Sequence, residues 1–468
     1  MLDFRFLFSW SCHGAWPCPK SVPAWLTSVV RASKAGLLFG LLPLVVPALA
    51  QLWPSTGALN TDETVSEAKL AFERAQPSQA RLLLNRYLIE RPEDPQALLE
   101  AGEIDLACFR DELAQERLAH ALRIAPLEPR VLRACSRVAK TPVEEVKLLG
   151  RYVMAGMRSS AEKRSDLEDA VAHLKLHQSI GDSEPWRVAS PGERYKIKMA
   201  TLPAATGMRI GYGLTVSING AKPMRLLLDS GADNILISEK HAKSLHLKYF
   251  AEGRIVSVSG RETAASRLGV AETVTIGDLV FHDAVVQVTP HEATVDQDGL
   301  IGLAVFSKFL VGLDLRQGKH VLKLEPLPEA RVEGDQSSVN VVRMKHLLLV
   351  RTRFAPRMEG FFVLDTGCAY SAVDSRSAER IPAAHMWTRP LEMKTATGFL
   401  AANRWTLWPG AFEVGGHPLQ SSDVISLDLE RFSRNHGFQV TGLIGLSSLA
   451  GALVSVNYRD GAVNIERQ

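Results

Sequence analysis

Two copies of the tripeptide Asp-Ser/Thr-Gly are the residues of this sequence best suited to chemistry. Asp229 begins the first copy and Asp365 the second, and each directly follows an apolar run, at 226–228 and 362–364. A single such tripeptide predicts only a tight turn. An aspartate at the end of a buried strand is different, because burying a carboxylate is costly unless it has a partner. Two such carboxylates in contact can share one proton, which places an acid and a base side by side.

The surroundings of the two aspartates are also repeated. A Gly-Leu-Ile-Gly-Leu segment follows each of them, at 299–303 and at 442–446. Between aspartate and segment lies a further glycine-containing stretch, around Gly260 in the first copy and Gly398 in the second. From Tyr195 onward, short β-branched runs bounded by Gly, Asn or Asp predict strands. The sequence therefore predicts an all-β region of two similar halves, related by a pseudo-twofold axis that brings the aspartates together.

The segment Asp229-Ser230-Gly231-Ala232-Asp233 resembles the active-site loop of the retropepsin-like aspartic proteases. The doubled arrangement, over about residues 200–468, is similar to their fused, pepsin-like two-lobed relatives. The resemblance implies an endopeptidase that hydrolyses peptide bonds with water activated between two aspartates and without a cofactor. It implies that Asp229 and Asp365 are the catalytic aspartates, that the hydroxyls of Ser230 and Thr366 lock the two loops together, and that Gly231 and Gly367 are the turn glycines. It also implies that Ile301-Gly302 and Ile444-Gly445 pack behind the loops. The segments around Gly260 and Gly398 would be the flaps that cover the substrate.

The sequence departs from the family pattern at two points. Neither flap segment contains a counterpart of the flap tyrosine of pepsin, and Cys368 stands where the family usually carries Ala or Ser. The chemistry needs one protonated and one charged aspartate. The sequence leaves open which of the two holds the proton.

Ahead of the β region the sequence predicts helices with a repeat of 34 residues. This offset relates Ala80 and Leu84 to Ala114 and Leu118, and Gly102 is a small residue in a helix A position of the pattern. The period resembles the tetratricopeptide repeat, in which small residues let two antiparallel helices approach closely. Such a region offers either a docking surface for a protein partner or a helical spacer.

Together these patterns predict a multidomain chain with an N-terminal α-helical repeat-like region followed by an all-β two-lobed fold. The predicted boundaries are 1–50 for a signal peptide, 60–180 for the helical region, 181–194 for a linker, 195–330 for the first lobe and 338–468 for the second.

The first 50 residues predict export from the cytoplasm. Arg31 and Lys34 precede an apolar run, and Ala-Leu-Ala at 48–50 has the small-x-small pattern of a cleavage site. The alternative is a membrane anchor over 35–53, which carries no charge. Two prolines near its end favour cleavage, because proline breaks a helix. We therefore expect a periplasmic or secreted protein without a stable membrane span after cleavage.

Charge and cysteine content exclude several other classes of protein. Beyond residue 50 the chain carries 50 basic and 50 acidic side chains, so its charge predicts no nucleic-acid partner. Three cysteines remain there, Cys108, Cys135 and Cys368, without a Cys-x-x-Cys pair or a His/Cys cluster at metal spacing. This pattern disfavours a disulfide scaffold and a zinc enzyme. We expect neither a metal nor a cofactor.

Three alternatives to an aspartic endopeptidase remain. A serine hydrolase is disfavoured because the sequence has no Gly-x-Ser-x-Gly elbow. Cys368 is a poor candidate nucleophile because two nearby carboxylates would raise the pKa of its thiol. The more serious alternative is a catalytically idle protease fold that binds peptides or assembles with partners, using the helical repeats as a second docking surface. With both aspartates on one chain, we expect a monomeric catalytic unit that acts on a peptide or protein substrate.

Overall fold

The computed structural model describes residues 63–190, 192–203, 209–256, 263–290, 298–331, 340–355, 357–381, 383–387, 390–395, 398–407, 412–414, 417–418 and 423–467. The predicted signal peptide at 1–50 and the alternative anchor at 35–53 lie outside these residues. No helix within the described ranges is long and apolar enough to cross a membrane.

Helices form the N-terminal part of the described chain, from residue 63 to residue 180. They are α1 (Glu63–Glu73), α2 (Pro77–Glu90), α3 (Pro95–Ala107), α4 (Asp111–Ile124), α5 (Pro129–Ser136), α6 (Pro142–Gly156) and α7 (Arg164–Ile180). Four of them begin with proline, whose fixed φ and missing N–H suit the first helical position. The prediction of a helical region is confirmed, whereas its assignment to the tetratricopeptide repeat stays a prediction.

The spacing of the helices agrees with the 34-residue offset in the sequence. Helices α2 and α4 begin 34 residues apart, and so do α3 and α5. Gly102 faces Leu118 across the α3–α4 pair, where an added Cβ would lie 2.6 Å from Leu118 Cγ. The absence of a side chain at Gly102 therefore lets these two helices approach closely.

The first half of the β region forms a nine-stranded sheet. Its strands are β1 (Arg187–Val188), β3 (Ala200–Pro203), β4 (Arg209–Ile218), β5 (Met224–Asp229), β6 (Ile235–Ser238), β7 (Lys248–Val256), β8 (Thr263–Ile276), β9 (Leu279–Thr289) and β10 (Gly299–Gly302), with the short helix α8 (Glu239–Ala242) after β6. Strand β10 lies between β5 and β6, parallel to β5 and antiparallel to β6. This arrangement places the end of β5 next to the end of β10.

The second half forms an eleven-stranded sheet with the same centre. Its strands are β13 (Val341–Met344), β14 (Leu347–Ala355), β15 (Met358–Leu364), β16 (Ser371–Asp374), β17 (Ala383–Met386), β18 (Leu391–Thr395), β19 (Gly398–Leu407), β20 (Glu413–Val414), β21 (His417–Pro418), β22 (Asp423–Leu427) and β23 (Gly442–Ile444), with the helices α9 (Ser375–Ala378), α10 (Glu430–His436) and α11 (Leu446–Leu449). Strand β23 is parallel to β15 and antiparallel to β16. The local topology around each aspartate is therefore repeated.

A third sheet of five strands joins the two halves. It contains β2 (Tyr195–Lys198), β12 (Val321–Pro326), β11 (Phe309–Asp314), β24 (Ala452–Asn457) and β25 (Ala462–Arg467), in that spatial order. The antiparallel pairing of β11 with β24 hydrogen-bonds a strand of the first half to a strand of the second. Burial of its alternate side chains, such as Val311 and Val454, fixes the register of this sheet.

The segment predicted as a linker, 181–194, is partly a strand of the first sheet. Strand β1 pairs with β9, and the side chain of Trp186 beside it is fully buried. The Trp186 indole Nε1–H donates a hydrogen bond of 2.9 Å to Asn234 Oδ1. The glycines, serines and prolines of this segment predicted a break, but the burial of one large aromatic ring attaches it to the sheet.

The helical region packs against both halves of the β region. Leu176 of α7 belongs to a core cluster that includes strands of the first half, and Phe72 contacts Phe438 of the second with ring centroids 5.0 Å apart. In addition, Arg343 of β13 donates a 2.6 Å hydrogen bond to the Asp111 carboxylate of α4. Because these contacts bury apolar surface on both sides, the helical region is packed against the β region and is not joined to it by a flexible linker alone.

Candidate active site

The two aspartates occupy equivalent positions at the ends of two buried strands. Asp229 is the last residue of β5, and Asp365 directly follows β15. The preceding side chains, such as Leu228 and Leu364, are buried in the core. Because each strand is held between its neighbours by parallel and antiparallel pairing, both carboxylates emerge from a rigid base rather than from a loose loop.

Hydroxyl groups lock the two aspartate loops together by four hydrogen bonds that cross between the halves. The Ser230 backbone N–H donates to Thr366 Oγ1 at 3.0 Å, and that hydroxyl donates to the Leu228 carbonyl at 2.9 Å. Reciprocally, the Thr366 N–H donates to Ser230 Oγ at 2.9 Å, and this hydroxyl donates to the Leu364 carbonyl at 2.7 Å. Both hydroxyl residues are buried. The predicted pair Ser230 and Thr366 therefore meets at the centre of the interface.

We expect Ser230→Ala to destabilise the protein strongly. It leaves the buried Thr366 N–H and Leu364 carbonyl without partners, and each unsatisfied buried group costs about 1–3 kcal/mol. The free energy of unfolding, measured by urea denaturation, should fall by about 2–5 kcal/mol. Ser230→Thr is the matched control, since it keeps the hydroxyl and uses the residue found in the other half. Equal stability of Ser230→Ala and the wild type would contradict this account.

The two turn glycines bring the carboxylates into contact. The Gly231 N–H donates to Asp229 Oδ1 at 2.7 Å, and the Gly367 N–H donates to Asp365 Oδ1 at 3.0 Å. Each glycine also faces the opposite aspartate. A Cβ on Gly367 would lie 2.5 and 2.7 Å from the two Asp229 carboxylate oxygens, and one on Gly231 would lie 3.3 Å from Asp365 Oδ1. The loops therefore interlock, and a side chain at Gly367 in particular would collide with the Asp229 carboxylate.

The electrostatic environment distinguishes the two aspartates. Burial raises the pKa of Asp365, and the neighbouring charge of Asp229 raises it further. Burial also raises the pKa of Asp229, but the Gly231 N–H, the charge of His346 and a hydrogen bond from Asp365 oppose this rise. These surroundings favour a proton on Asp365 over one on Asp229, a choice that the sequence leaves open.

Cys368 lies beside Asp365 but is unsuited to nucleophilic chemistry. Its backbone N–H donates to Asp365 Oδ1 at 3.1 Å. Burial and the Asp365 charge raise the pKa of the Cys368 thiol far above its ordinary value. Since only a thiolate is a good nucleophile, the thiol is inert at neutral pH. Cys108, Cys135 and Cys368 are free thiols, and no group of three His, Cys, Asp or Glu in the described part of the chain is placed to hold a metal ion.

The Ile-Gly segments lie directly behind the two loops. The Gly302 N–H donates to the Asn234 carbonyl at 2.9 Å, and the Asp365 N–H donates to the Ile444 carbonyl at 3.0 Å. A Cβ on Gly302 or Gly445 would collide with the backbone of the loop in front of it. These glycines therefore let strands β10 and β23 support the loops at close range.

The structure describes only one of the two candidate flap glycines. Gly260 lies outside the described residues. Gly398 is the first residue of β19 and pairs with Thr395 of β18. The role of either glycine in a flap stays a prediction.

His346, which no sequence motif marks, lies at the first aspartate loop. The imidazole Nε2 lies 3.0 Å from the Gly231 carbonyl oxygen. His346 is 115 residues from Gly231 in the chain and belongs to no motif. Only the folding of the second half onto the first brings them together, so no local signal could have marked it.

Comparison with known proteins identifies one family over part of the chain. Residues 214–305 match the family model described as aspartyl protease. No curated protein matches the chain. The matched range contains Asp229 and the Ile301-Gly302 segment and ends before the second aspartate. The match supports an aspartyl-protease-like domain built around Asp229, and the second half repeats its central topology around Asp365.

Proposed function

We propose that this protein is an aspartic endopeptidase, with Asp229 as the general base and Asp365 as the general acid. The observation that carries the proposal is the pairing of two partly buried aspartates through the reciprocal hydrogen bonds of Ser230 and Thr366. A structural β-domain does not need two carboxylates in contact, because their burial and mutual repulsion are unfavourable. The family match over the first half supports the same class of enzyme.

The geometry supports a mechanism without a covalent intermediate. The Asp229 carboxylate takes a proton from a water molecule, whose oxygen bonds to the carbonyl carbon of the scissile peptide. Asp365 donates its proton to the carbonyl oxygen, which gives a neutral tetrahedral diol. Asp229 then passes its proton to the amide nitrogen while Asp365 recovers a proton from one hydroxyl. The C–N bond breaks, and the pair returns to its starting protonation state.

The proposal extends to the architecture of the catalytic unit. The two halves correspond to the two lobes of a single-chain protease, and the shared five-stranded sheet supports their fixed arrangement. Because both aspartates lie on one chain, a monomer suffices for activity on a peptide or protein substrate. We further propose a periplasmic or secreted location from the N-terminal sequence pattern, and a protein partner for the helical repeats.

We expect the pH dependence of kcat/KM to be bell-shaped, with its basic limb above the ordinary aspartate range. Activity requires a charged Asp229 and a protonated Asp365. It should rise as Asp229 loses its proton and fall as Asp365 does, and burial together with the Asp229 charge raises the pKa of Asp365. Initial rates between about pH 3 and pH 9 would measure both limbs. A basic limb near pH 4, the ordinary aspartate pKa, would contradict the assignment.

Cleavage of a peptide library by the purified chain tests the function directly. We expect products that a transition-state mimic with a central hydroxyl suppresses, and linear dependence of the rate on enzyme concentration. The Asp365→Asn variant is the control for contaminating proteases. Peptide binding without cleavage at any pH would refute the proposal and support the alternative of an idle peptide-binding module.

A further inference from the structure

His346 lies in the turn between β13 and β14 of the second half, against the loop of the first. The residue is only 7 % exposed. Its Nε2 is 3.0 Å from the Gly231 carbonyl oxygen, and since a carbonyl only accepts hydrogen bonds, Nε2 must carry the proton and donate. The bond therefore crosses the interface between the halves, next to the Asp229 carboxylate.

This hydrogen bond holds the backbone of Gly231 in place beside Asp229. The Gly231 N–H already donates to Asp229 Oδ1 at 2.7 Å, so Gly231 is held through its donor on one side and its acceptor on the other. In the second half the Gly367 N–H donates to Asp365 in the same way. The Gly231 carbonyl, in addition, accepts a hydrogen bond from a side chain of the opposite half.

Several ionisable groups from both halves lie around His346. Asp229 and Asp233 face it from the first half, and a positive charge on its ring lowers the pKa of both. His436 of α10 faces it within the second half, and burial lowers the pKa of His436 to about 4, which leaves that ring neutral. Lys345 adjoins it in the turn.

Two further observations concern the surroundings of His346. Asp169 of α7 interacts electrostatically with Lys345, but burial raises the pKa of Asp169 to about 7, so its negative charge is lost below neutral pH. His346 Nδ1 and Asp233 Oδ2 are both buried without a hydrogen-bond partner among the described residues.

Building on the proposed peptidase function, we propose that His346 is a positioning residue of the active site. It holds the Gly231 peptide in place and, when protonated, makes Asp229 rather than Asp365 the charged member of the pair. The mechanism itself uses only the two aspartates and water, so His346 acts through Asp229 and need not touch the substrate.

Two substitutions separate the hydrogen bond from the charge. His346→Gln places an amide N–H near the position of Nε2 but cannot be protonated. It should keep kcat at the optimum within about 3-fold and move the acid limb of kcat/KM upward by about one pH unit, the size expected for loss of a nearby opposite charge. His346→Ala also removes the donor, and its kcat should fall about 10- to 100-fold with little change in KM, as expected for a misplaced catalytic group. His417→Gln, an exposed histidine on β21, is the matched control and should leave both quantities unchanged.

A titration that does not depend on turnover distinguishes this proposal from the proposed function. In ¹³C NMR of labelled aspartate carboxyls, with the Asp229 signal assigned through Asp229→Asn, His346→Gln should raise the midpoint of Asp229. A wild type that cleaves no peptide would refute the peptidase function, yet this shift would still be observed. An unchanged midpoint and acid limb in His346→Gln overturn the charge effect. Wild-type kcat in a folded His346→Ala overturns the positioning role.

Discussion

Asp229→Asn and Asp365→Asn are each expected to reduce kcat/KM by at least about 10³-fold while the protein stays folded. Asparagine is nearly isosteric with aspartate but cannot accept or release the proton that the pair shares. Each variant therefore retains only one member of the acid–base pair. The double variant should be hardly worse than either single one, because groups that act as a unit fail together.

The same variants should also change the pH dependence of stability. Because burial and the Asp229 charge raise the pKa of Asp365, the folded chain keeps a proton that the unfolded chain releases above about pH 4. The stabilisation that comes from this proton is complete below the Asp365 pKa of the unfolded chain. It is lost as the pH rises through the Asp365 pKa of the folded chain. The free energy of unfolding of the wild type should thus fall with rising pH, and Asp365→Asn should remove that part of the slope.

The exposed aspartate Asp278 supplies the control. Asp278→Asn, in the turn between β8 and β9, should leave turnover unchanged and so exclude a general effect of removing a carboxylate. Circular dichroism and urea denaturation would establish that all variants are folded. If either active-site variant keeps wild-type turnover in a preparation free of other proteases, the pair is not the catalytic group.

Gly367→Ala is expected to be the second most damaging change, with a loss of activity of at least about 100-fold. Its new Cβ would lie 2.5 and 2.7 Å from the Asp229 carboxylate oxygens, closer than real Cβ atoms approach. Asp229 cannot move freely, because the Gly231 N–H and the paired loops hold it. Either the carboxylate is displaced from its partner or the two loops separate.

Gly231→Ala is the matched comparison for this prediction. A Cβ there would lie 3.1 Å from Asp229 Oδ1 and 3.3 Å from Asp365 Oδ1, so smaller shifts suffice. Neither glycine has a positive φ. Both substitutions therefore test whether there is room for a Cβ atom and do not introduce backbone strain. We expect a loss of about 10-fold or less for Gly231→Ala. Steady-state kinetics of both variants measure the difference, and a larger loss in Gly231→Ala than in Gly367→Ala would contradict the geometry.

The sequence by itself determined which residues to examine and the general order of the chain. The duplicated Asp-Ser/Thr-Gly and Gly-Leu-Ile-Gly-Leu patterns were sufficient to name the two aspartates that the structure brings together. The 34-residue offset and the change to β-branched runs predicted helices followed by strands, and both appear where expected. These features are visible in the sequence because repeats, strand periodicity and turn residues are local properties of the chain.

The tertiary structure alone decided how the two halves differ. Trp186 attaches the segment predicted as a linker to Asn234, and Leu176 and Phe72 attach the helices to both halves. The electrostatic environment of Asp229 depends on contacts such as that of His346 with Gly231. Burial and electrostatic interactions depend on distances between residues that are far apart in the chain. A nearly symmetric sequence pattern therefore predicts two aspartates, but only the folded surroundings make their electrostatic environments differ.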